Sequence, residues 1–123
     1  MKLRIKGNSI RLRLLRSEVD KFAEAGRISE EIGFGPSALK YSLSMSSDTD
    51  VVRAAFADDE IVVSVPERLA RDWTTNENVG FEIEQQTGAD RTLTIIVEKD
   101  FVCIDRPNDP DRDDAFPNPN VTC

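Results

Sequence analysis

The 123-residue chain is 39% hydrophobic and 32% charged, which fits one folded domain and leaves little room for two. Its 16 bases and 23 acids leave a net charge of −7, so bulk electrostatics disfavour nucleic acid and anionic lipid as partners. Histidine is absent, which removes Ser-His-Asp and Cys-His catalysis, histidine metal sites and imidazole proton shuttles together.

Residues 2–6 read Lys-Leu-Arg-Ile-Lys, and after Gly7-Asn8 the alternation resumes from Ser9 to Leu14. Two alternating runs around a two-residue Gly-Asn turn predict a hairpin with a II′ turn, because glycine supplies the positive φ at the first central position. A two-residue turn places Lys6 opposite Ser9, Arg4 opposite Arg11 and Lys2 opposite Arg13. One face is then Leu3, Ile5, Ile10, Leu12 and Leu14, and the other is Lys2, Arg4, Lys6, Arg11 and Arg13. Ser17 to Gly26 predicts a short amphipathic helix, with Ser17 as cap, Glu18 and Asp20 at its positive end and Gly26 as its stop. Val19, Phe22 and Ala23 fall on one face of it.

The period then returns to two. Ile28, Glu30, Ile32 and Phe34 share one strand face, and Leu39, Tyr41, Leu43 and Met45 share the next. Ser46 to Asp50 reads as a turn, Val51 to Phe56 as a strand, Ala57 to Glu60 as a turn, and Ile61, Val63 and Val65 as another strand face. Pro66 suits the first position of a second short helix that carries Leu69 and Trp73. Val79 to Gln86 and Thr92 to Glu98 form a last hairpin, and Phe101 to Ile104 extends it or adds a strand. The fold class is α+β: a mostly antiparallel, curved sheet or partial barrel with two short helices. No internal repeat is visible. Residues 1–107 form a single domain, and the Pro-, Asn- and Asp-rich residues 108–123 form an acidic C-terminal tail that adds little to the core.

The N-terminus does not read as a signal peptide and no run is long enough to span a membrane. Two cysteines, Cys103 and Cys123, are too few for a secreted disulfide scaffold, so a reducing cytoplasm is the simplest location. No GxGxxG, P-loop or paired CxxC is present, and no cofactor is expected. Asp109, Asp111 and Asp113 alternate like a calcium loop, but Asp114 replaces its glycine and Asn120 its bidentate glutamate, so a solvated acidic coil is the simpler reading. Cys103, between Val102 and Ile104, reads as a small buried hydrophobe, and no metal site follows from two thiols.

The first hairpin is the most informative feature. Residues 1–16 hold six of the 16 bases and no acid. Its two directly opposed like-charge pairs require neutralisation. Glu82 and Glu84, on the polar face of a later strand, are the candidate internal partners, and an external anion bound by Lys2, Arg4, Lys6, Arg11 and Arg13 is the rival. Glu82-Ile83-Glu84 loosely resembles the ExExK signature of triphosphate-binding tunnel enzymes, with Gln86 where the lysine should be. These readings yield two function classes: a non-enzymatic module with a protein partner, and a metal-dependent phosphohydrolase or binder of a small phosphorylated ligand.

At a broader level, MKLRIKGNSIRLRL at the start, Ser17-Glu18-Val19 after it, and Glu98 to Cys103 with Asp114 to Pro119 near the end resemble a family of small uncharacterised bacterial proteins grouped as a domain of unknown function. The resemblance covers nearly the full chain and implies a single bacterial domain, with no activity or catalytic residue attached.

Overall fold

Strand β1 (Lys2–Lys6) and strand β2 (Ser9–Leu14) form the expected hairpin, in a computed structural model that describes residues 1–101. Its register is the one the turn length dictates, with Arg4 opposite Arg11 and Lys2 opposite Arg13, and Gly7 sits at φ 54°. Helix α1 (Arg16–Ala25) follows at once. Its cap is Leu15 rather than Ser17: the Glu18 carboxylate reaches back to accept the Leu15 N–H at 2.8 Å, half of a capping box. Gly26, at φ 77°, ends the helix by donating its N–H to the Phe22 carbonyl. The chain continues through β3 (Arg27–Gly33) and β4 (Ala38–Ser46), then β5 (Arg53–Ala57) and β6 (Glu60–Pro66). Pro66 is the cap of helix α2 (Glu67–Thr75) and not its first helical residue. β7 (Gly80–Gly88) and β8 (Arg91–Lys99) complete the order. β8 stops at Lys99 and Phe101 lies outside any strand, while the remainder of the expected extension, both cysteines and the tail lie outside the described residues.

The protein is α+β with two short helices and mostly antiparallel strands, as expected, and its strands form two four-stranded sheets, neither closed into a barrel. Their orders are β1-β2-β8-β7 and β3-β4-β6-β5. Each has antiparallel hairpins on its flanks and a parallel pair at its centre, β2 with β8 and β4 with β6. One buried cluster joins the inner faces of both sheets: Leu12, Leu14 and Ile95 from the first, and Leu43, Val63 and Val65 from the second. Helices α1 and α2 close one end of this core, where Phe22 and Trp73 meet edge to face at 6.4 Å between ring centroids.

The topology contains the repeat that residue identities conceal. Hairpin β1–β2, helix α1 and hairpin β3–β4 are matched by hairpin β5–β6, helix α2 and hairpin β7–β8. Each unit gives its first hairpin to the sheet that holds the second hairpin of the other. Ile10, Leu12 and Leu14 take the places of Ile61, Val63 and Val65, and Phe22 that of Trp73, always 51 positions apart. Tyr41 and Leu43 correspond to Ile95 and Val97, since each pair lies beside the equivalent residues of β6 or β2. Apart from Ile10 and Ile61 only apolar character is shared at these places, so the duplication is all but invisible as sequence identity.

The second hairpin turns through Asp58 and Asp59, both at positive φ (53° and 61°), the geometry of a I′ turn. Two adjacent aspartates suit it less well than Asn-Gly, because left-handed backbone strains a residue with a Cβ and the like charges repel. The double variant Asp58→Asn with Asp59→Gly is expected to gain about 0.5–1 kcal/mol, read as a higher Tm at low protein concentration. An unchanged or lower Tm would mean the turn is not strained.

Candidate functional site

The polar face of hairpin β1–β2 is the outer face of the first sheet, as the alternation requires. The row nearest the helices runs Lys2, Arg13, Glu98 and Gly80 across the four strands; the next runs Arg4, Arg11, Ile96 and Glu82. Parallel pairing of β2 with β8 therefore sets Glu98 beside Arg13. The Arg13 Nε donates to Glu98 Oε1 at 2.6 Å, Arg11 Nε lies 3.8 Å from the same oxygen, and Lys2 Nζ meets Asp100 Oδ2 at 2.9 Å. Arg4 and Lys6 are exposed and also take part in polar or electrostatic contacts.

Neutralisation is thus largely internal, but the expected acids do not perform it. Among the described residues no ion pair joins Glu82 or Glu84 to the hairpin. They stand on β7, which β8 separates from β2, so neither is a direct cross-strand neighbour of a hairpin base. Glu98 was legible in the sequence only as a candidate acid of the metal-dependent alternative; its place beside Arg13 is set by parallel pairing across 85 positions, for which no local signal exists.

Two seams join the edges of the sheets. On one, the Gln85 side chain from β7 accepts the Ala54 N–H at 2.7 Å and donates to the Ala54 carbonyl at 3.0 Å, in place of a strand neighbour on β5. On the other, the buried Met1 α-ammonium pairs with the Glu18 carboxylate and lies 3.2 Å from Glu30 Oε1. The Tyr41 hydroxyl lies between Glu30 Oε2 at 2.9 Å and the Met1 carbonyl at 3.0 Å. Burial, then the bond to Glu30 and its charge, push the Tyr41 phenol up from its ordinary value. On the outer face of the second sheet, buried Ser42 donates to Glu60, which also accepts from Arg27 at 2.8 Å. That serine bond, with the Arg27 and Lys40 charges, holds the Glu60 carboxyl below its usual range against its partial desolvation. Each polar group in these clusters is engaged by another, and no described cluster of three acids or thiols could hold a metal ion.

No described helix or strand is laid across the end of the core opposite the helices. Around it lie duplicated residues from both sheets, Ile10 with Ile61 and Leu39 with Leu93, together with Phe56. Phe56 is 67% exposed, Phe34 66%, Ile5 59% and Ile32 44%. An apolar recess of about 480 Å³ opens here beside Gln85 and Thr87. Of the residues expected to share one face of a strand, Ile28 is buried while Ile32, near the end of β3, and Phe34, just beyond it, are exposed. A larger open recess, about 1110 Å³, lies between residues 46–53, the start of α2 and β7. Its charged lining, Asp50, Arg53, Glu67, Arg68, Asp72 and Glu84, is of both signs and solvent-exposed.

Fold and site together define an α+β domain built from two exchanged hairpin–helix–hairpin units, with its polar clusters spent on joining strands. The chain belongs to the family of unknown function DUF7009, whose model matches residues 1–120. No curated protein and no solved structure is significantly similar to it.

Proposed function

We propose that this protein is a non-enzymatic interaction module of a bacterial cytoplasm, working through the uncovered apolar end of its core. The observation that carries this reading is the contrast between the two ends. One is closed by the Phe22–Trp73 pair of the helices, while the other has an apolar recess lined by Leu39, Ile61 and Leu93 with the exposed ring of Phe56 at it. Apolar surface gathered at one place marks a contact region, whereas scattered apolar residues do not. Few cysteines support the reducing compartment, and no described helix is long and apolar enough to cross a membrane.

The rival class, a phosphohydrolase or phosphate binder using Lys2, Arg4, Lys6, Arg11 and Arg13, would need those bases available to an anion. Glu98 and Asp100 already occupy Lys2 and Arg13. Tripolyphosphate at low salt is expected to raise the Tm by less than about 2 °C. A ligand at a hundredfold excess over its Kd adds about 2.7 kcal/mol, which is many degrees for a domain of this size. Nucleoside triphosphates and tripolyphosphate with magnesium or manganese should not be turned over. Turnover abolished by Glu84→Gln, or a saturable shift lost in Arg4→Glu, would reverse the ordering of the two classes.

A further inference from the structure

Strand β5 is the outer strand of the second sheet, bonded to β6 on one side only. Along an antiparallel pair the residues alternate, one turning its N–H and C=O towards the partner strand and the next turning them away. The Gln85 side chain holds the Ala54 N–H and carbonyl, at 2.7 and 3.0 Å, so Ala54 is of the outward kind. The β5–β6 register is unbroken from Arg53 to Ala57, so Phe56, two residues on, also points its N–H and carbonyl away from β6. No hydrogen bond joins these two groups to another described residue. The Phe56 ring is 67% exposed and lines the apolar recess together with Ile61 and Leu93. Asp58 and Asp59 follow on the same hairpin, both exposed and in no ion pair among the described residues. One short stretch of chain thus presents an open strand edge, an apolar recess and two acids without a paired base.

We propose that this end binds an extended peptide segment of another protein, which adds a strand to β5 at Phe56. The segment pairs its backbone with the Phe56 N–H and carbonyl, as the Gln85 amide already does one step earlier at Ala54. Side chains alternate across a strand, so the peptide residue opposite Phe56 lies on the recess side, where an apolar side chain is favoured. Beyond it a basic residue meets Asp58 and Asp59, and the net charge of −7 draws a basic segment in from a distance. The partner is therefore an apolar strand with bases at one end. A helix would fill the recess but leave the edge groups of Phe56 unpaired, since its own backbone bonds are internal. The inference rests on the interaction-module reading and names the form of its partner.

Calorimetric titration of the full chain with two acetylated, amidated peptides, Thr-Val-Leu-Val-Lys-Lys and its reverse, is the test. At least one is expected to bind with a Kd of about 0.1 mM or tighter, and more weakly as salt is added. Methylating its backbone nitrogens at alternate positions separates strand addition from plain apolar contact. The set that faces β5 should weaken binding at least about tenfold, and the other set by less than about twofold, since every side chain is kept. Phe56→Pro removes an N–H that bonds nothing in the fold, and should cost more affinity than Phe56→Ala, which keeps it. Asp58→Asn with Asp59→Gly should weaken the basic peptide about fivefold and leave Thr-Val-Leu-Val-Ser-Ser unaffected. Circular dichroism checks the folding of each variant, and the methylated peptides probe the same edge with the protein unaltered. No binding of either peptide up to about 1 mM, or equal loss from the two methylated sets, overturns the proposal. So does a dimer that the peptide displaces in sedimentation equilibrium, which would make a second copy the occupant. Each of these results leaves the module reading standing, whereas turnover or a saturable anion shift would sink that reading whatever the titrations show.

Discussion

Gly80→Ala is expected to destabilise the protein by about 3 kcal/mol, the upper end of the usual cost of inserting an atom into packed structure. Gly80 opens β7 opposite Glu98, where the β8 backbone leaves no room for a side chain. A Cβ there would overlap the Val97 carbonyl oxygen and sit 2.6 Å from Glu98 Cα. Both obstacles are backbone, so no rotamer change relieves them and the start of β7 must swing away. That motion would strain two bonds on the preceding residue: Val79 accepts from Lys99 N at 2.7 Å and from Trp73 Nε1 at 3.2 Å. It would also disturb Glu98, the acid between Arg11 and Arg13. For a domain of about 100 residues the loss corresponds to a fall in Tm of about 12 °C or more. Gly33→Ala is the control, because a Cβ at Gly33 meets nothing within 4 Å. Equal Tm values for the two variants would show that β7 and β8 do not approach this closely.

Trp73→Ala should be the most damaging substitution in either helix, at about 3–5 kcal/mol. Its ring is 2% exposed and lies between Phe22, at 6.4 Å, and Phe81, at 5.8 Å, both edge to face. Lys99 Nζ sits 5.6 Å from the ring centroid and donates to the Asn76 carbonyl, so α2, the following segment and β8 all meet at this side chain. Total stabilities of small domains are about 5–15 kcal/mol, so the loss removes a large share of the whole. Urea unfolding followed by far-ultraviolet circular dichroism reads it directly. Trp73→Phe keeps the edge-to-face contact and loses the Val79 bond, and should cost markedly less. If alanine and phenylalanine behave alike, the tryptophan is not the closing element of the core.

The basic hairpin shows how far local pattern reaches. Its strands, turn and cross-strand pairs follow from alternation and Gly7-Asn8 alone, because a two-residue turn leaves one register that keeps Leu3, Ile5, Ile10 and Leu12 on one face. The demand for acids beside Arg11 and Arg13 was legible too. Their identity was not, since Glu82, Glu84 and Glu98 all occupy polar positions of plausible strands and differ only in which strand adjoins β2. The uncovered end was equally hidden: Ile32 and Phe56 look like core residues in their alternation, and only the place where the core stops makes them surface.

Sequence by itself determined the elements of this protein. Eight strands and two helices follow from periods of two and 3.6 residues, from turns at Gly7-Asn8 and Asp58-Asp59, and from the glycine stop at Gly26. These are short-range effects, in which neighbouring residues interact whatever the remainder of the chain does. The tertiary structure alone decided which hairpins share a sheet. An apolar strand face is satisfied by any apolar face laid against it, and a hairpin's free edge by any edge in register, so alternation permits β2 to adjoin β4 as readily as β8. The exchange that pairs β2 with β8 and β4 with β6 lets both units bury one common core beneath the two helices. That choice places Glu98 among the arginines.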